Sequence, residues 1–119
     1  MASIFEKYGG FVTVSKIVMD FYDRVLDSDT AGPFFDDVDM RRQIDHQTKF
    51  IAQVMGGPAA YSNDALRRVH SHLAIDRAAF DEVAGLLEAT LLEHGVDPED
   101  VAAVMAEIHG RAHLVITTA

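Results

Sequence analysis

The chain has 119 residues, 49% of them hydrophobic, a formal net charge of −9 and no cysteine. That is one domain with a single core of ordinary depth. The acidity argues against nucleic acid or an anionic membrane as partner, and the missing cysteine excludes disulfides, thiolate nucleophiles, zinc fingers and iron–sulfur centres.

The start, MASIFEKYGG, lacks a basic segment followed by a long apolar one, and no apolar run approaches the ~20 residues of a membrane span. A soluble cytoplasmic domain over 1–119 is the expectation. Ser3 with Glu6 is a capping-box pattern, so a short helix starts there and stops at Gly9 and Gly10. From Thr13, the residues Val14, Ile17, Val18, Phe21 and Val25 trace the apolar stripe of a second helix ending near Ser28, with Tyr22 on the stripe's edge. Gly32 and Pro33 then break the chain before two adjacent phenylalanines, Phe34 and Phe35.

Asp39 caps a third helix running to Met55, closed by Gly56, Gly57 and Pro58. A looser stretch leads to a short helix over 64–73. Asp76 caps the next, in which Phe80, Val83, Ala84, Leu87 and Leu91 repeat the helical spacing up to Gly95. Asp97, Pro98, Glu99 and Asp100 form a strong helix start, with acids facing the positive end of the dipole. Val101, Val104, Met105 and Ile108 follow on that last helix. No segment alternates as a strand would, so the fold class is all-α.

Several residues do not fit a plain core. On the third helix, Gln43 and Gln47 fall inside the apolar face beside Ile44, Ile51 and Val54, and a buried amide without a partner costs about 1–3 kcal/mol. His46 and Phe50 complete one side strip with them. These groups either satisfy one another in a polar seam or, together with Tyr22, line a ligand pocket with a few directional donors. In RRVHSHLAID, residues 67 to 76, His70 and His72 point to nearly opposite flanks of a helix, so one metal cannot easily take both. If Leu66, Val69 and Leu73 define the core side, His70 lies roughly 65° from its centre and His72 roughly 95°. Geometry alone favours His70 only modestly. His94, His109 and His113 sit near helix C-termini, where the dipole favours a cation.

The ordered set of Gly9-Gly10, FYDRVL at 21–26, the FFDDVDM corner, HQTKF at 46–50, GGP and LRRVH, followed by two long helices, resembles the truncated haemoglobins over essentially the whole chain. The likeness is to the short group I kind, and most in pattern to its cyanobacterial-type members. It implies a truncated globin-like two-over-two helical sandwich holding one haem b. His70 matches the proximal histidine that binds iron, and His72 has no assigned role. Tyr22, Gln43 and Gln47 match distal polar positions. His46 matches a histidine that in some cyanobacterial members binds iron as a sixth ligand. Phe35 matches the aromatic packed on the porphyrin, with Phe34 and Phe50 as further wall residues. The haem propionates need cationic partners, for which Lys49, Arg67 and Arg68 are the candidates. His113 lies near a histidine that in the same members bonds to a haem vinyl, with a different spacing from Pro98.

The implied function is reversible binding of O2 and related diatomics such as NO, CO or cyanide-type ligands by a monomer. Nitric oxide dioxygenation or peroxide chemistry would depend on an external reductant, and fold does not choose among these roles. Two readings from other classes stand beside it. One is a cofactor-free helical interaction module with a structural polar seam. The other is a His/carboxylate metal enzyme drawing on 19 acids and six histidines, though the paired Glu-x-x-His spacing of such bundles is missing.

Overall fold

The computed structural model describes residues 3–71 and 73–116. Among them are seven α-helices: α1 Ile4–Lys7, α2 Phe11–Asp27, α3 Met40–Val54, α4 Asn63–His70, α5 Arg77–Glu93, α6 Pro98–Gly110 and α7 Ala112–Val115, with a 3₁₀ turn at Gly32–Phe35 and no strand. None is long and apolar enough to cross a membrane.

The local signals act as side-chain chemistry requires. Ser3 Oγ accepts from the Glu6 amide at 3.1 Å, Asp39 from Arg42 at 3.4 Å and Asp76 from Ala79 at 2.9 Å. Each satisfies an amide that the first helical turn leaves without a partner. α2 starts two residues earlier than its apolar stripe suggests. Gly10, at φ +71°, reverses the chain and lets Phe11 begin the helix at once. α4 is capped by Ser62, whose Oγ accepts from Ala65 at 3.1 Å. It ends at His70, short of the expected 73, because Ser71 Oγ donates to the Arg68 carbonyl and the Leu73 amide bonds back only three residues to His70. Beyond α6, Arg111 interrupts the helix before α7, a break that no glycine–proline punctuation announces.

α2 packs most extensively on α3 and also on α5, which in turn packs on α6, so one helix pair lies over another. Ile17, Phe21, Ile51, Leu91 and Val104 meet at the centre with almost no exposure, each stabilising the fold by about 1.5–3 kcal/mol through burial. The first helix is held from two sides. Lys7 Nζ reaches Asp100 at 2.7 Å, Tyr8 donates to the same carboxylate at 2.6 Å, and the Phe5 amide donates to the Met55 carbonyl. α4 stands apart from this core. It buries only Leu66, and its main packing partner is α7. A space therefore remains between α4 and the long helices.

Candidate functional site

That space is a cavity of about 560 Å³, within the ~300–1,000 Å³ range of ligand pockets. Tyr22 enters it from α2, Phe34 and Phe35 from the 3₁₀ turn, Gln43, His46, Gln47 and Phe50 from α3, and His70 from α4. Eight of the expected site residues thus share one wall system. The corner is pulled tight at Gly32, where a Cβ would stand 2.9 Å from the Leu26 carbonyl oxygen. This close approach brings the two phenylalanines over α2, and the Phe35 ring meets Tyr22 edge-on at 5.5 Å.

Tyr22, at the edge of the α2 stripe, is buried, with 3% exposure. Gln43 Nε2 donates to its hydroxyl oxygen at 3.0 Å. The phenol therefore accepts from Gln43 and keeps its own proton to give to a third group. Burial pushes its pKa up to about 12, with the Gln43 bond acting weakly the other way. Gln47 is half-buried in the same wall, and its amide makes no hydrogen bond among the described residues.

At His70, Nδ1 lies 2.6 Å from the Leu66 carbonyl one helical turn back. A carbonyl only accepts, so Nδ1 carries the hydrogen and the Nε2 lone pair is left for a ligand. The same device orients metal-binding imidazoles generally. His72 lies outside the described residues. Val69, expected on the core side of its helix, is 56% exposed and lines the cavity, so that side of α4 is a cavity wall rather than core.

His46 is exposed at the cavity's edge. Its Nδ1 meets the Tyr61 hydroxyl at 2.7 Å, and its Nε2 accepts from Arg42 Nε at 3.3 Å. Lys49 and Arg67 do not line the cavity. They pair with Asp45 at 3.0 Å and Asp64 at 4.0 Å on the outer faces of their helices. Among the described residues the Lys or Arg side chain that does line it is Arg111, whose Nη1 donates to the Glu107 carboxylate at 2.7 Å and whose Nε is buried with no partner among them. Tyr61 and Arg111 escaped the sequence reading, since one sits in a loop and the other at a helix break, and neither has a periodic signal. His113 is exposed and lies outside the cavity wall, beside a shallow surface hollow between α4 and α6. Of the other histidines, His94 meets Asp20 at 3.0 Å and His109 packs edge-on against Phe80. Among the described residues no three His or carboxylate side chains converge, so a metal held by the chain's side chains alone has no ligand set there.

The family model described as bacterial-like globin matches residues 3–117. A group 1 truncated haemoglobin from Synechocystis is 40% identical, over 92% of this chain and 91% of the relative. The chain belongs to the group 1 truncated haemoglobins. A relative from Mycolicibacterium paratuberculosis, again a group 1 truncated haemoglobin, is 34% identical over 90% of this chain and 79% of its own. Among solved structures, the 2/2 haemoglobin of Synechococcus in the cyanomet state with covalently attached haem superposes with a TM-score of 0.89 at 29% identity, covering 97% of this chain and 98% of that one. The truncated haemoglobin of Tetrahymena pyriformis in the Fe(III) form gives 0.85 at 28%, covering 99% and 100%. The two-over-two globin sandwich is thus the fold of this truncated haemoglobin. As a globin it is a haem-binding, ligand-binding protein, and the cofactor-free interaction module is not favoured.

Proposed function

We propose that this truncated haemoglobin holds one haem b in the central cavity, with His70 Nε2 as the proximal iron ligand, and binds O2 and related diatomic ligands reversibly. The observation that carries the reading is the Leu66–His70 bond, which presents an unengaged imidazole lone pair in the same cavity as the Tyr22–Gln43 donor pair. The residues present fit such a group. The walls are largely apolar, with Phe34, Phe35, Phe50 and Leu66 among them, and the buried Nε of Arg111 lacks an acceptor that a carboxylate would supply.

When bound, the haem supplies an iron that takes a diatomic ligand reversibly. The chain does the rest. Leu66 fixes the His70 tautomer and strengthens the ring as a ligand. Tyr22, oriented by Gln43, holds a proton that it would donate to a ligand bound in the cavity, and the free amide of Gln47 would supply a second donor. Donors aimed at a partly negative ligand slow its release. Arg111 takes the role of propionate partner ahead of Lys49, Arg67 and Arg68. A cytoplasmic location and a monomeric state belong to the same reading. Conversion of nitric oxide to nitrate is a compatible activity that requires electrons from a separate reductase.

The test is the absorption spectrum of the purified, haem-reconstituted protein. A Soret band at about 400–430 nm with one haem per chain is expected. Failure to develop that band after reconstitution overturns the reading.

A further inference from the structure

Both nitrogens of His46 are engaged by this chain's own side chains. Arg42 Nε can only donate, so at 3.3 Å it fixes His46 Nε2 as the acceptor. The hydrogen of the neutral ring then sits on Nδ1 and points to the Tyr61 oxygen at 2.7 Å. Tyr61 is in turn anchored. Gln53 on α3 donates to its carbonyl at 3.0 Å and accepts from the amides of Ala60 and Tyr61, each at 2.8 Å. One glutamine side chain therefore pins the loop that carries Tyr61 to the same helix that carries His46, one face ring-edge against the other at 6.1 Å. Tyr61 thereby stands at the cavity wall beside His46.

We propose that Tyr61 is a positioning residue for the sixth coordination position. Its hydroxyl, with Arg42, latches His46 at the rim of the cavity and opposes its movement onto the iron. Gln53 sets the latch by fixing the Tyr61 backbone. The consequence is a resting haem with a substantial population open to external ligands. This rests on the haem reading above, since the latch has a role only if His46 has an iron to reach.

The experiment uses ligand-free ferric holoprotein, with the low-spin to high-spin ratio read by absorption and electron paramagnetic resonance. One neutral hydrogen bond corresponds to roughly a two- to tenfold change in such an equilibrium. Tyr61→Phe, which keeps the ring, is expected to raise the low-spin to high-spin ratio by that factor, and Gln53→Ala to move it in the same direction. His46→Leu must abolish the gain in both backgrounds. An unchanged or lowered ratio in Tyr61→Phe overturns the latch, as does a gain that survives His46→Leu or a wild-type protein already wholly low-spin through His46. A chain that forms no Soret band in any variant instead fails the haem reading itself.

Discussion

The Gln43 amide donates to the Tyr22 hydroxyl at 3.0 Å, a contact between residues 21 positions apart that turns a buried phenol into an aimed donor. With its oxygen engaged and its pKa raised to about 12 by burial, Tyr22 keeps its proton across the physiological range. Tyr22→Phe removes that donor and is expected to speed O2 release from the ferrous holoprotein by roughly 10- to 100-fold, the range for a hydrogen bond to a charged acceptor. Gln43→Ala, which leaves the phenol but frees its orientation, has a smaller effect of several-fold. Stopped-flow displacement of O2 measures both, and an unchanged rate in Tyr22→Phe would remove the phenol from the ligand's environment.

His70 and His72 separate cleanly by substitution. His70→Ala deletes the imidazole whose Nε2 is free and is expected to abolish the ferrous spectrum of a histidine-ligated haem, with imidazole added to the solution restoring it in part. His72→Ala leaves the spectrum nearly unchanged. Equal effects in the two variants would mean that the proximal ligand is not His70.

Arg111 and the pair Lys49, Arg67 give opposite expectations for haem retention. Arg111→Ala removes the basic group at the cavity wall and is expected to raise the rate of haem loss to a competing apoglobin about tenfold. Lys49→Ala and Arg67→Ala, both exposed and paired on outer helix faces, change it by less than about twofold. A larger loss from Lys49→Ala than from Arg111→Ala reverses the assignment.

The haem of this protein is expected to extract fully into acidified butanone. The Synechococcus 2/2 haemoglobin that it resembles carries covalently attached haem, but here His113 is exposed and outside the cavity wall. Retention of haem on the polypeptide, lost again in His113→Ala, would contradict this.

The attachment of the first helix is acid-sensitive. Hydrogen bonds from Lys7 and then Tyr8 hold the Asp100 carboxyl below its ordinary value of 3.8. A depressed carboxylate contributes stability that is present above its unfolded pKa and lost as pH falls through the lower folded one. Asp100→Asn should therefore reduce the melting temperature at neutral pH, with the difference from wild type shrinking as pH drops below the usual carboxylate range. Thermal unfolding followed by circular dichroism at several pH values checks it, and a difference that does not shrink in acid points away from this carboxylate.

Much of this molecule was written locally. The caps at Ser3, Asp39 and Asp76, the apolar stripe of α2 and the glycine corners depend on groups within about four residues of one another, so the sequence alone determined the long helices and the all-α class. It also exposed Gln43, Gln47 and Tyr22 as polar groups on apolar faces. What those groups do with one another was a tertiary matter. The bond between Gln43 and Tyr22 depends on how α2 lies against α3, and the edge-on contact of Phe35 with Tyr22 depends on the corner that follows α2. Tyr61 and Arg111 gave no periodic signal, yet packing put the first on His46 and the second on the cavity wall. Lys49 and Arg67 were near the pocket in sequence but turned outward to acids one helical turn away. Helical order is set by contacts a turn apart, whereas membership of a shared cavity is set by which distant faces the core draws together. Only the packed structure could decide the second.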